Sequence, residues 1–138
     1  MEAAVRGNAV ILQARTNSSR LPEKVLADIS GRPLIAFLIE RLKRSEMVDE
    51  IILATTELPE DDELVEIALS KEVKVVRGSE DDVLARYVKA ALLTSGSTIV
   101  RITGDCPLVD PNLLDEALRL YNVLNVDYLS NCHPPLYP

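Results

Sequence analysis

Apolar positions along this chain keep switching between two rhythms. Ala9 to Ala14 is a continuous apolar run broken only by Gln13, the pattern of a strand covered on both faces. Pro33 then opens a stretch in which Ile35, Leu38, Ile39 and Leu42 recur at helical spacing. Ile51 to Ala54 reads as a second strand. Pro59 starts a second helix whose first turn is acidic, as the positive end of a helix dipole favours. Val73 to Val76 is a third strand. Ser79 with Asp82 resembles a capping box before a helix whose apolar face would be Leu84, Tyr87, Val88 and Ala91. Ile99 to Ile102 is a fourth strand. Asp110-Pro111 is an N-cap and first-turn proline for a helix burying Leu114, Ala117, Leu118 and Tyr121, and Val126 to Leu129 reads as a fifth strand.

Strands separated by crossover helices specify an α/β fold with a mainly parallel, doubly wound sheet. No linker, repeat or biased segment interrupts it, so residues 1–138 are read as one domain. In such a sheet, ligands bind outside the carboxyl ends of the strands. The segments that fall there are Arg15 to Lys24, Thr55-Thr56, Arg77-Gly78-Ser79-Glu80 and Thr103-Gly104-Asp105-Cys106-Pro107. The opposite connections, such as Ser45-Glu46-Met47 and Ser95-Gly96, are plain turns. Charged and hydroxyl residues gathered on one rim point to a site there.

Composition narrows the function classes. At 47% hydrophobic residues and five glycines in 138, the chain can bury a real core and is not low-complexity. A net charge of −7 opposes a general nucleic-acid binder, which needs a basic surface. No apolar stretch approaches a membrane span, and Met1 to Asn8 lacks the apolar core of a secretory signal. Cys106 and Cys132 form no disulfide framework, so a reduced, cytoplasmic setting is expected.

Against that acidic background, the loop from Arg15 to Lys24 carries three cations (Arg15, Arg20, Lys24), one acid and the adjacent Ser18 and Ser19. Fixed positive charge, several donors and little bulk are what a phosphate chain requires, although a solvated surface loop has the same composition. Asp105 follows the fourth strand between Gly104 and Pro107. A carboxylate there can ligate a magnesium ion shared with substrate phosphates; the alternative is a helix cap, for which Asp110 is better placed. His133 stands alone in a proline-rich tail and reads as a loop residue. Tyr87 and Tyr121 read as core, and the acidic run from Glu57 to Glu63 as a solvated helix start. An ion pair with Asp82, four residues earlier, accounts for Arg86.

Three segments stand in order along nearly the whole chain: Gln13-Ala14-Arg15 with Ser18-Ser19-Arg20-Leu21-Pro22 and Lys24; Arg77-Gly78-Ser79-Glu80-Asp81-Asp82-Val83-Leu84 with Arg86-Tyr87; and Arg101-Ile102-Thr103-Gly104-Asp105-Cys106-Pro107-Leu108-Val109-Asp110-Pro111. They resemble the cytidylyltransferases typified by spore coat polysaccharide biosynthesis protein F, relatives of the enzymes that activate sialic acid and Kdo as CMP derivatives. The resemblance implies a three-layer, Rossmann-like α/β/α fold of the nucleotide-diphospho-sugar transferase type, with strand order beginning 3-2-1-4. It implies transfer of CMP from CTP to a sugar or sugar acid, with release of pyrophosphate, in surface polysaccharide biosynthesis. Arg15, Ser18, Ser19, Arg20 and Lys24 would cradle the triphosphate. Ala14 and Arg77, Gly78 and Ser79 would border cytosine and ribose, Arg86 would join the site, and Asp105 would hold Mg2+.

Two positions depart from that family's loop, which often has glycine where Asn17 and Glu23 stand. Asparagine tolerates positive φ, so Asn17 is expected to replace glycine conformationally, whereas Glu23 adds negative charge. Family members continue past the Tyr137-Pro138 region with a second acidic metal ligand, acceptor contacts and dimer surface. The chain is therefore expected to be the N-terminal part of such a fold, truncated at the C-terminus, with an open sheet edge that favours a homodimer. A nucleotide-binding module without catalysis is the competing reading. A dinucleotide-binding domain is disfavoured, because no Gly-x-Gly-x-x-Gly follows the first strand.

Overall fold

A computed structural model of the chain describes residues 7–18 and 20–132. The expectations for Ser19, His133 and the Tyr137-Pro138 region lie outside the described residues. The apolar run Asn8–Gln13 forms β1, buried along its length except at Gln13. On one side it pairs in parallel with β2 (Glu50–Thr56), which pairs with β3 (Lys74–Gly78); on the other it pairs with β4 (Thr98–Thr103), giving the order β3-β2-β1-β4. Helices α1 (Leu34–Leu42), α2 (Asp62–Ser70), α3 (Val83–Leu93) and α4 (Pro111–Leu124) complete the alternation.

The layers follow from the order of the strands. The chain steps outward from β1 to β2 to β3 and then returns across the sheet to β4. Right-handed crossovers place helices on one face while it moves outward and on the other when it reverses. Accordingly, Ile35, Leu38 and Leu42 of α1 and Leu64 and Ala68 of α2 share a core with Val10, Leu12 and Leu53, which Leu114 and Leu118 of α4 complete. Ala90 of α3 packs against Ile11, Ile52, Ala54 and Val76 on the opposite face. The expected α/β/α architecture and strand order are both present. In doubly wound sheets the ligand crevice lies where the strand order reverses, here at the carboxyl ends of β1 and β4.

Four local expectations need correction. Val126 to Leu129 forms no strand: Asn125 ends α4 in the left-handed region, and the run that follows is irregular, with Val126 and Tyr128 exposed. The buried face of α3 is Arg86, Tyr87, Ala90 and Ala91, while Leu84 and Val88 stand in solvent. The two alanines let the helix approach the sheet closely, and Gly78 leaves room for Arg86, whose Cγ would lie 2.9 Å from any Cβ added there. Apolar bulk alone selects the wrong ridge. The capping box is absent too: Asp82 caps α3 by accepting from Ala85 N, and the Ser79 hydroxyl accepts from Asp81 N instead. Tyr87 and Tyr121 are only half-buried.

Candidate active site

The end of β1 and the end of β4 are drawn together by a glycine. Gly104 N donates to the Gln13 carbonyl at 2.7 Å, and a Cβ at Gly104 would fall 2.6 Å from the Ala14 Cβ. Ala14 is itself buried and donates its N–H to the Ala54 carbonyl, so the start of the cationic loop is fixed to both neighbouring strands. The residue after Gly104 is thereby carried opposite the loop. Asp105 accepts from Lys24 Nζ at 3.1 Å through Oδ2 and from the Thr103 hydroxyl at 2.7 Å through Oδ1. The Thr103 hydroxyl, opposed by partial burial and aided by Lys24, holds this carboxyl below the ordinary aspartate value. It is an ionised carboxylate at neutral pH.

Across the rim, Glu80 Oε1 accepts from Arg15 Nη1 at 2.9 Å and from Asn17 Nδ2 at 3.1 Å. The loop after β3 thus meets the loop after β1 through a carboxylate held between a cation and an amide. A phosphate oxygen suits the same pair of donors. Nothing local in the sequence marks Glu80 as a contact of this loop, because its partners lie 65 and 63 positions away.

Arg86 is 1% exposed and lies beneath this junction. Its Nη1 donates to the carbonyls of Ser79 and Glu80, while Nε and Nη2 have no partner among the described residues. The expected ion pair with Asp82 is absent, because that carboxylate is occupied as the cap of α3. Arg77 is fully engaged elsewhere: Nε donates to the Thr56 carbonyl, Nη2 to the Leu58 carbonyl and Nη1 to Asp62, each at 2.7 Å. Its guanidinium clamps the turn after β2. Arg20 is exposed and has no ion-pair partner among the described residues, and Ser18 is half-buried nearby in sequence. The loop therefore presents Arg15 and Lys24 in defined contacts and Arg20 to solvent.

Asn17 does not adopt positive φ; Glu23 does, at φ 54°, ψ 18°, heading the short 3-10 turn Lys24–Leu26. The loop is pinched shut at the same point, where Glu23 N donates to the Thr16 carbonyl at 3.0 Å.

Asp61 belongs to an acidic run whose composition predicts a solvated helix start, yet it is buried. Asp61, 1% exposed, accepts from Thr16 N at 2.8 Å and from the Thr16 hydroxyl at 2.7 Å through Oδ1. Through Oδ2 it accepts from the Thr55 hydroxyl at 2.9 Å, from Thr56 N at 3.1 Å and from the Thr56 hydroxyl. Burial pushes this carboxyl up, and the threonine hydroxyls and the Thr16 N–H more than offset that, holding it below the ordinary value. The available signal was Thr55-Thr56, two hydroxyls at a strand end with an acid five residues on.

A shallow hollow of about 410 Å³ lies away from this chemistry, on the outer face of α3, lined by Leu84, Val88 and Leu92 among others. Among the described residues, no group of three or more His, Cys, Asp or Glu gathers to hold a metal, and no helix is long and apolar enough to cross a membrane.

Comparison with known proteins bears on the family and the fold. The family model described as Cytidylyltransferase matches residues 9–137. An uncharacterized protein of Methanocaldococcus jannaschii is 48% identical over 120 residues, covering 87% of this chain and 49% of that protein. Spore coat polysaccharide biosynthesis protein SpsF of Bacillus subtilis is 37% identical over 130 residues, covering 91% of this chain and 54% of that protein. The solved structure of a cytidylyltransferase from Leptospira borgpetersenii superposes with a TM-score of 0.81 at 38% identity, over 86% of this chain and 50% of that one. The chain spans about half the length of the relatives it matches.

Proposed function

This chain belongs to the cytidylyltransferase family, and from that premise we propose that it transfers CMP from CTP to a sugar or sugar acid, releasing pyrophosphate. The observation that carries the reading is the facing of the Arg15–Lys24 loop and Asp105 across the β1–β4 crevice, with Lys24 Nζ 3.1 Å from Asp105 Oδ2. The name of the Bacillus relative supports a surface-polysaccharide acceptor, in the cytoplasm where CTP is made.

In this reading an acceptor hydroxyl oxygen attacks the α-phosphorus of CTP. The bond from that phosphorus to the α–β bridging oxygen breaks, pyrophosphate leaves with the electron pair, and the hydroxyl proton passes to solvent. Positioning and charge neutralisation do most of the work in such a step. Arg15, Arg20 and Lys24 offset the charge that builds on the leaving pyrophosphate, and Ser18 and Ser19 donate to phosphate oxygens. Ala14, Gly78 and Ser79 border the nucleoside. Arg77 and Arg86 act from behind, one clamping the turn that carries Asp61 and the other holding the Ser79-Glu80 backbone.

Asp105 would hold Mg2+. A single ionised carboxylate suits that ion, which proteins bind through one or two carboxylates together with the substrate's own phosphate oxygens. When bound, magnesium supplies further charge neutralisation at the phosphates. A homodimer through the β4 edge, which has no partner strand among the described residues, completes the proposal.

The second reading is a nucleotide-binding module that does not catalyse, favoured by the chain's spanning only half the length of its relatives. A pyrophosphate-release assay with CTP, magnesium and a panel of sugars and sugar acids separates the two. Release dependent on one acceptor supports the transferase; CTP binding without release on any acceptor supports the module.

A further inference from the structure

Asp61 carries a buried negative charge with no cation against it, on the phosphate-facing rim of a protein read as binding an anion. Such a charge is costly to bury, so its retention calls for a reason. Its ion pairs do not supply one: among the described residues it has none within reach. What it has is donors on both oxygens, five in all, drawn from Thr16, Thr55 and Thr56. Only an ionised carboxylate accepts on both sides at once. An asparagine would turn its NH2 toward either the Thr16 or the Thr56 backbone N–H, whichever way it was set.

The residue tied down is the informative part. Ala14 and Thr16 are buried while Arg15 and Asn17 are exposed, so the chain leaves β1 still alternating sides. Fixing Thr16 inward forces Arg15 and Asn17 outward together, and both reach the same atom, Glu80 Oε1. Thr16 also accepts, through its carbonyl, the Glu23 N–H that closes the loop. One carboxylate therefore sets where the cationic loop begins, where it is pinched, and which way its first cation points. The Thr55 and Thr56 contacts anchor that carboxylate to β2.

We infer that Asp61 is a positioning residue for triphosphate binding, acting through Thr16 to aim Arg15 and to hold the loop closed for the anion. The inference rests on the nucleotide reading above and deepens it.

The test compares Thr16→Val, which keeps the shape and the backbone N–H but loses the hydroxyl, with Thr16→Ser, which keeps the hydroxyl. Asp61→Asn is the stronger variant, and Thr16→Val keeps the test open if that one fails to fold. Affinity for CTP with magnesium is measured by equilibrium dialysis at a temperature where melting curves show each protein folded, alongside amide hydrogen exchange of the free proteins. The expected result is CTP affinity weakened roughly tenfold in Thr16→Val, as for loss of one hydrogen bond to a charged group, and restored in Thr16→Ser. Exchange should quicken at residues 15–17 and stay unchanged across β1, β2 and β4.

Wild-type CTP affinity in Thr16→Val, with only its melting temperature lowered, would overturn the inference and reduce Asp61 to a structural carboxylate. If the wild-type chain binds no CTP, the nucleotide reading fails instead, and exchange still decides whether Asp61 orders the loop: unchanged exchange at residues 15–17 sinks that claim as well.

Discussion

Lys24 and Asp105, 81 positions apart in the chain, meet at 3.1 Å because Gly104 lets the β4 loop close onto the end of β1. The pair is partly exposed, so its direct contribution to stability is small, on the order of 0–1 kcal/mol. Its value is geometric, since it places a cation and a carboxylate on opposite walls of one crevice.

Removing the cations tests what that crevice binds. Lys24→Ala and Arg20→Ala should each leave the fold intact and weaken CTP binding by ~1.5–3 kcal/mol per lost charged contact. Calorimetric affinities of the two variants, with circular dichroism as the fold control, check this. Unchanged affinity in both removes the triphosphate assignment.

Gly104→Ala puts a methyl group where the Ala14 Cβ and the Gln13 carbonyl oxygen already sit, at 2.6 and 3.2 Å. Both neighbours are anchored at the end of β1 and cannot swing aside as a flexible side chain would. The expected cost is about 1–3 kcal/mol from overpacking. Urea denaturation measures it, and a loss of CTP affinity beyond that of Gly96→Ala, placed at the opposite end of the sheet, would show that the crevice itself has been displaced.

Glu23 occupies the left-handed region at φ 54°, which costs a residue with a Cβ roughly 1–2 kcal/mol and glycine little. Glycine gives back part of that gain in the unfolded state, about 0.5–1 kcal/mol. Glu23→Gly should therefore stabilise the chain by up to ~1 kcal/mol in urea denaturation. It should also tighten CTP binding modestly, because it removes a negative charge from the loop.

Acid should unfold the protein through its buried carboxylates. Asp61 and Asp115 are both held below the ordinary aspartate value. At Asp115, burial raises the carboxyl and the Ser45 hydroxyl with the Glu46 and Met47 N–H groups lowers it further than burial lifts it. A carboxyl with a depressed folded pKa contributes stability that is fully present above its unfolded value, near ~3.9, and is lost as pH falls through the folded value. Urea midpoints should hold steady down to about pH 5 and then fall with acidification. Asp115→Asn should flatten that fall while lowering stability at neutral pH.

Legibility in the sequence followed the range of the forces involved. Continuous apolar runs mark strands buried on both faces, so β1 and β2 were readable, and the order of elements carried the parallel sheet with them. The loop cations and Asp105 were readable because residues that follow parallel strands fall on one rim whatever their contacts. Contacts between distant segments were not. Asp61 looked solvated because it sits in an acidic run, and only the meeting of β1 and β2 shows that Thr16, Thr55 and Thr56 converge on it. The α3 face was misread for a related reason: the close approach permitted by Gly78 and Ala90 outweighs the greater bulk of Leu84 and Val88. Val126 to Leu129 has strand composition, but it follows the left-handed end of α4 as an irregular and mostly exposed run.

The central claim is that the crevice between β1 and β4 is a magnesium-dependent CTP site. Calorimetric titration of the chain with CTP, with and without magnesium and with UTP, ATP and GTP as controls, tests it most directly. Micromolar, magnesium-dependent binding that favours CTP is the expected result. Absence of binding to all four nucleotides, by a chain shown to be folded, would contradict the claim and leave the Arg15–Lys24 loop without its assigned ligand.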